Sequence, residues 1–435
     1  MLQTLKNAWK IPDLRRRILF TLMMLIVFRF GAHIPVPYLT ADAMQAFLGN
    51  GGTDLFSLFD VFTGGAFSNA TVMAMGVSPY INASIIVQLL TVAIPSLERL
   101  AKEGLEGRKK INKITRYLGI ALAFIQGAGL YVTLYNMSVT NGLDAIKNPS
   151  VLTFFVIVLT FTAGTAFIIW LGELITEKGL GNGVSLIIFA GIVSRIPSAA
   201  YGIYNQFLGA GVNAKGLIFV VAIIVVAIAA ITFVVFFSEA ERRIPVQYAK
   251  RVVGRKMYGG QSTNIPIKVA AGGVMPIIFA ASIMSLPSTI KMMTNVKAGG
   301  VASFIFNLFE TTNPFYIIVY IALIFMFSYF YAAIQFNPIE IANNLKKNGG
   351  FIPGFRPGRP TSDFISKALG KVTFLGAIFL SIVAGVPLVV GALNSSLNNV
   401  ALGGTSVLIV VGVALETVRQ LESQLMMRNY KGFLE

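Results

Sequence analysis

The chain has no cysteine and a single histidine, His33, among its 435 residues. Disulfides and thiolate chemistry are excluded, and so are the His/Cys clusters that hold zinc and related metals. Charge is scarce too. Charged residues make up 12% of the sequence against 55% hydrophobic ones. A soluble protein of this length needs far more charge to cover its surface, so most of this surface faces something other than water. No GxxxxGK[ST] nucleotide loop occurs, which removes the simplest route to a self-powered pump.

What is present is length without charge. Residues 118–135, 151–171, 216–238, 314–336 and 372–393 contain no Lys, Arg, Asp or Glu. At about 1.5 Å per helical residue, roughly 20 residues cross a hydrocarbon layer about 30 Å thick. The runs do not alternate as barrel strands would. The expectation is an all-α integral membrane protein of ten spans, near 18–37, 72–94, 118–136, 151–171, 184–204, 216–238, 269–289, 314–336, 372–393 and 400–416. The first span lacks a small-residue cleavage site and runs into Pro35 and Pro37, so it is expected to stay as a helix and not be removed as a signal peptide.

The net charge of +17 gains meaning from its distribution. With ten spans alternating, 29 of the 35 Lys and Arg fall on one side: the N-terminus, the loops near 95–117, 172–183, 239–268 and 337–371, and the C-terminal tail. The other side holds only Lys147, Arg195, Lys215, Lys291 and Lys297, and Arg29 lies within the first span. Positive loops remain in the cytoplasm, so both termini are expected inside. The split into five and five spans, residues 1–205 and 206–435, is compatible with an inverted repeat, because an odd number of spans flips the second half.

Two segments depart from a simple serpentine. Residues 54–69, DLFSLFDVFTGGAFSN, are too short to cross and too apolar for a solvated loop. They read as a re-entrant half-helix broken at Gly64-Gly65, or else as an interfacial helix on the outer surface. The GLGNG stretch at 179–183 reads as a tight reversal. The loops 239–268 and 337–371 exceed what a connection requires. They are basic, and FIPGFRPGRP at 351–360 presents Arg356 and Arg359 on a rigid, non-helical stretch. Docking of a cytoplasmic partner explains that excess better than orientation in the membrane alone.

Chemistry inside the spans is sparse. An ion-coupled transporter needs ionisable groups near mid-membrane. Here Arg29, His33, Glu173, Glu177 and Arg195 lie within or at the ends of predicted spans, and no carboxylate falls at a predicted midplane. An intramembrane protease needs a nucleophile–base pair or facing aspartates, which the sequence does not provide. A passive pathway or a scaffold remains, with no catalytic residue, metal or cofactor implied. A small-solute secondary transporter and a pore-less insertase stay as rival readings.

Several long blocks are specific enough to carry a resemblance. They are FRFGAHIPVP (28–37), TGGAFSNATVMAMGVSPYINASIIVQLL (63–90), EGLEGRKKINKITRY (103–117), WLGELITEKGLGNGVSLIIFAGIVS (170–194), ERRIPVQYAKR (241–251), QSTNIPIKVA (261–270), FNPIEIANNLKKNGGFIPGFRPG (336–358) and GGTSVLIVVGV (403–413). Nearly end to end, the chain resembles the SecY family, the central subunit of the bacterial protein-translocation channel. The resemblance implies a clamshell of two five-helix halves around an hourglass pore that passes secretory preproteins and opens sideways to signal sequences and transmembrane segments. It implies a waist ring at Val77, Ile81, Val184, Ile188, Ile278 and Ile409. It implies a plug over about 54–70, including Leu55, Phe56, Leu58, Phe59, Phe62, Gly64, Gly65 and Phe67. Asn82, Gln88 and Gln126 become candidates for the polar lining of the lateral gate, where Ala270 stands in place of the asparagine of some relatives. Arg255, Lys256 and Arg356 match positions that meet the ribosome or the SecA ATPase. SecE and SecG are the implied membrane partners, in the lipid bilayer of the cytoplasmic membrane.

Overall fold

The computed structural model describes residues 2–42, 44–45, 60–141, 145–208, 214–248, 251–253, 256–258, 262–270, 272–293, 301–309, 313–393 and 403–431. Helices dominate. In chain order they are α1 (Leu2–Lys10), α2 (Pro12–Gly31), α3 (Ser78–Ala93), α4 (Pro95–Lys102), α5 (Leu105–Asn141), α6 (Val151–Lys178), α7 (Gly183–Leu208), α8 (Ala214–Glu239), α9 (Met275–Met293), α10 (Val301–Leu308), α11 (Pro314–Gln335), α12 (Pro338–Lys347), α13 (Arg359–Leu393) and α14 (Gly403–Lys431). Among the described residues, six helical segments are long and apolar enough to cross a membrane, those of α5, α6, α7, α8, α11 and α13. The pair α3 and α4, bent by 101° where Pro95 interrupts the chain, makes a seventh if taken as one broken span.

Helix ends depart from the hydropathy pattern for identifiable reasons. Helix α2 starts at Pro12, where the missing proline N–H costs nothing in the first turn, and ends at Gly31, ahead of Pro35 and Pro37. The second predicted span starts six residues late, at Ser78, because Gly76 adopts a left-handed φ of 55° just before it. Helices α5 and α13 begin well before their apolar runs, at Leu105 and Arg359. A helix needs only its own backbone hydrogen bonds to continue, so it runs out of the apolar region into basic sequence.

The chain forms two compact units. One comprises Met1–Val225, Ala281–Tyr316 and Ile409–Glu435, the other Val226–Ala280 and Ile317–Leu408. In the first unit, α3 packs on α5, α5 on α6, and α6 on α7, with α2 against both α6 and α7. A buried core joins Val36, Phe67 and Ala74 to Leu130 and Leu134 of α5 and to Ile157 and Phe161 of α6. A smaller cluster ties Ala8 of α1 and Leu14 of α2 to Leu180 and Leu421. Leu180 belongs to the predicted GLGNG reversal. Its N–H donates to Thr21 Oγ1 at 3.0 Å, while Asn182 Oδ1 accepts from the Val184 N–H at 3.1 Å to cap α7. That turn is therefore docked as well as tight.

The second unit corrects the expectation of a purely helical chain. The basic segment 239–268 carries β1 (Glu241–Tyr248), β2 (Arg251–Val253), β3 (Lys256–Tyr258) and β4 (Ser262–Lys268), and β5 (Gly350–Phe351) follows α12. Strand β1 is central in an antiparallel sheet of order β4-β1-β5, with Ile244 opposite Ile265 and Val246 opposite Thr263, while β2 and β3 form a separate ribbon. Alternation places Ile244 and Val246 on one face, where they join Ile267, Leu345, Ile352, Ile365 and Leu369 in a core shared with α12 and α13. Asn337 caps α12 by accepting from the N–H groups of Ile339 and Glu340. Higher in this unit, Phe237 of α8 stacks on Phe379 of α13 at 4.7 Å, and Phe279 of α9 meets Phe327 of α11 edge-on at 5.8 Å. Ile267 is fully buried in the sheet core, whereas Ile339 is 65% exposed. Replacing Ile267 with Ala should cost about 2–5 kcal/mol through lost contacts and the cavity left behind. Thermal unfolding of the purified protein should show that loss, while Ile339→Ala leaves the midpoint nearly unmoved.

Candidate functional site

Of the segments that sequence reading singles out, the stretch 60–77 of the first unit is the irregular one. Asp60 to Phe62 are helical, after which Gly64 and Gly65 take left-handed φ values of 68° and 87°. Glycine adopts such values without steric cost, so the chain reverses there. Ala70, with φ 51°, makes a second bend. Thr71 then bridges to Pro35, and the Val36 N–H donates to the Ala70 carbonyl.

This backbone has no regular ladder, yet it is well satisfied. The Gly65 N–H donates to the Asp60 carbonyl at 2.9 Å, and the Thr71 N–H to the Ala66 carbonyl at 3.1 Å. The Val72 N–H reaches the Ile34 carbonyl at 2.9 Å. Thr71 Oγ1 and Asn69 Nδ2 donate to the carbonyls of Ala66 and Gly65. Unpaired polar groups away from water are costly, and here side chains supply what secondary structure does not.

Charge enters the same place. The Asp60 side chain is only 4% exposed. It accepts from the Ser68 N–H at 2.8 Å and forms an ion pair with Arg195 of α7. Arg29 of α2 donates from Nη1 to the Gly64 carbonyl at 3.1 Å. A side chain on Gly191, one turn before Arg195, would run into the Phe62 carbonyl, so this glycine permits the close approach. A second ion pair joins Arg116 of α5 to Glu173 of α6 at 2.9 Å, both about one-third exposed.

Among the expected ring residues, Val77 is the N-cap of α3, and Ile81 lies one turn on, its N–H donating to the Val77 carbonyl at 3.0 Å. Val77 thus precedes the helix on which it was expected. Val77, Ile188, Ile278 and Ile409 are buried, and Ile81 and Val184 half-buried. Five of the six belong to the first unit and Ile278 to the second. Of the plug residues, Leu55, Phe56, Leu58 and Phe59 lie outside the described residues. Phe67 is buried in the first unit's core, and Phe62 is half-buried beside the glycine pair.

The expected polar positions are on α3 and α5. Asn82 is buried, Gln126 is half-buried, and Gln88 Nε2 donates to Ser84 Oγ at 3.2 Å. Arg255 lies outside the described residues, and Lys256 opens β3, paired with Val253. Arg356 is exposed on a turn between Gly354 and Gly358, both at positive φ, with its carbonyl held by Thr361 Oγ1 at 2.7 Å.

The Asp60–Arg195 pair was not anticipated, since it joins positions 135 residues apart. The signal was present: a lone charge within an apolar stretch needs a partner, and each of these two had none nearby in sequence.

Comparison with known proteins bears on the whole chain. A family model for SecY matches residues 71–418. The sequence is 46% identical over 441 residues to the protein translocase subunit SecY of Streptomyces scabiei, and 45% identical over 451 residues to that of Mycobacterium tuberculosis. Both alignments cover the whole of each chain. Among solved structures, one on the SecY plug domain in the closed translocation channel aligns with a TM-score of 0.64 at 21% identity. A protein-conducting channel aligns at 0.62 and 19%, and Sec61 from a canine ribosome–channel complex at 0.58 and 18%. Each of these covers 96% of both chains. At such identities the structural likeness speaks for the fold.

Proposed function

The chain belongs to the SecY family, and on that premise we propose that it is the protein-conducting channel of a membrane translocase. It passes secretory polypeptides across the membrane and releases transmembrane segments sideways into lipid. The observation that carries this reading is the 46% identity with a protein translocase subunit SecY over the full length of both chains.

In this reading the chain crosses the cytoplasmic membrane ten times, in halves 1–205 and 206–435. The six long apolar helices are joined by α2, the bent pair α3–α4, α9 and α14. The placement of 29 of the 35 Lys and Arg on one side supports both termini being cytoplasmic.

Val77, Ile81, Val184, Ile188, Ile278 and Ile409 form the waist. Branched aliphatic side chains offer a moving polypeptide no hydrogen bond to hold it, and a narrow apolar constriction disfavours water and ions. That none of the six is exposed supports the assignment. Residues 54–70 act as the plug, supported by the reversal at Gly64-Gly65 and the buried Phe67. Asn82, Gln88 and Gln126 line the lateral gate.

In this reading the channel is not an enzyme, and with no nucleotide loop in the sequence its work comes from outside. SecA or a translating ribosome docks on the basic cytoplasmic loops at Arg255, Lys256 and Arg356. The packed sheet, α12 and the exposed Arg356 turn supply a firm base for docking, and the Sec61 neighbour is described in a ribosome complex. SecE and SecG complete the membrane assembly. None of the relatives or neighbours named above is a small-solute transporter.

Two outcomes test these roles. In planar bilayers, a complex carrying Ile81→Gly and Ile278→Gly should leak ions at rest, and unchanged conductance would remove both residues from the waist. In reconstituted vesicles, Arg356→Glu should abolish SecA-driven translocation while the complex stays assembled. Normal translocation by that variant would contradict the docking role.

A further inference from the structure

The charges at the end of the re-entrant stretch have no part in the waist, the lateral gate or the docking surface. Asp60 on that stretch meets Arg195 of α7, and Gly64 four residues later is held by Arg29 of α2. Three parts of the first unit, remote in sequence, thus meet through polar contacts. Gly191 and Arg195 share one face of α7, so the same face that admits the Phe62 carbonyl carries the charge that grips Asp60. Ser194 Oγ donates to the Gly191 carbonyl at 2.6 Å, and Ser68 contributes its N–H to the Asp60 carboxylate.

We propose that Asp60, Arg195 and Arg29 form a hydration-sensitive latch that holds residues 60–71 closed against α2 and α7 in the resting channel. The argument rests on the channel reading above and follows from dielectric. A paired carboxylate in a dry site is held strongly, because withdrawing it strands an uncompensated charge there and leaves Arg195 without its partner, while retreat of the segment also takes the Gly64 carbonyl from Arg29. Once water enters the passage behind an inserted polypeptide, all three groups can be solvated, and exposed ion pairs contribute little. The latch is therefore firm when the channel is empty and weak when it is filled. No change in the protonation of any group is required. Arg195 is the hydration sensor of the set, since its side chain is already 35% exposed while Asp60 is sealed.

The absence of native cysteine makes the test direct. Thr63, buried beside Asp60 and donating to its carbonyl, is replaced by Cys as a reporter for a membrane-impermeant maleimide. Asp60→Asn, Asp60→Glu and Arg195→Gln are made in that background, within the assembled complex. Asp60→Asn and Arg195→Gln should each raise both the labelling rate and the resting ion conductance by on the order of tenfold, with translocation retained. Asp60→Glu, which keeps the charge, should stay within a few-fold of the parent. If Arg195→Gln, which strands the sealed carboxylate, does not assemble, Asp60→Asn decides alone, because the arginine it leaves unpaired is partly exposed and can reach water. Parent-like labelling and conductance in Asp60→Asn, while the double glycine waist variant leaks, would overturn the latch and leave the channel standing. A parent complex that neither translocates nor leaks when its waist is widened would remove the channel reading, and the latch as a gate with it.

Discussion

A backbone polar group or charge that leaves water is costly unless it finds a partner inside the protein, and that constraint shapes this chain more than any other. Long helices meet it within themselves. Residues 60–77 cannot, since glycines at left-handed φ break the ladder there, and the structure meets the need with side chains and crossing backbone bonds. The Asp60–Arg195 pair is the same rule applied to charge. An irregular, polar-stitched segment among apolar helices is costly to build and persists where it has work to do.

A channel that moves polypeptides of arbitrary sequence must not bind them. Branched aliphatic residues at the waist suit that need, whereas hydrogen-bonding side chains would slow some sequences and favour others. Closure then cannot come from affinity for the cargo. In the proposed reading it comes from packing around Phe67, from the glycine-mediated approach of the Phe62 carbonyl to α7, and from contacts that weaken on hydration. The proposal also separates driving force from the pore: the sheet packs on α12 and α13 as a compact platform, with Arg356 on an exposed turn.

Much of this was legible in the sequence, and the gaps have physical causes. Each of the ten predicted spans overlaps a helix, because uncharged runs of membrane length have few other solutions. The ends were misplaced at α5 and α13, since hydropathy senses lipid contact and not hydrogen bonding. The sheet at 241–268 went unread although Ile244, Val246, Ile265 and Ile267 alternate in ERRIPVQY and STNIPIK; Pro245 and Pro266 within those strands masked the pattern. The waist positions followed from family resemblance alone, as a Val or Ile in a membrane helix is ordinarily packed or lipid-facing. The partner of Asp60 lay beyond the reach of local reading because it sits on another helix.

The central claim is that the aliphatic ring positions surround a moving polypeptide. Disulfide trapping addresses it directly, because the chain brings no cysteine of its own. A secretory chain stalled in transit and carrying one cysteine is offered to channels with a single cysteine at Ile81, Ile188, Ile278 or Ile409. Val226 and Phe236, exposed on the apolar face of α8, serve as controls. The account predicts trapping at all four ring positions and at neither control. Trapping at the controls as readily as at the ring, or at none of the four, would contradict it.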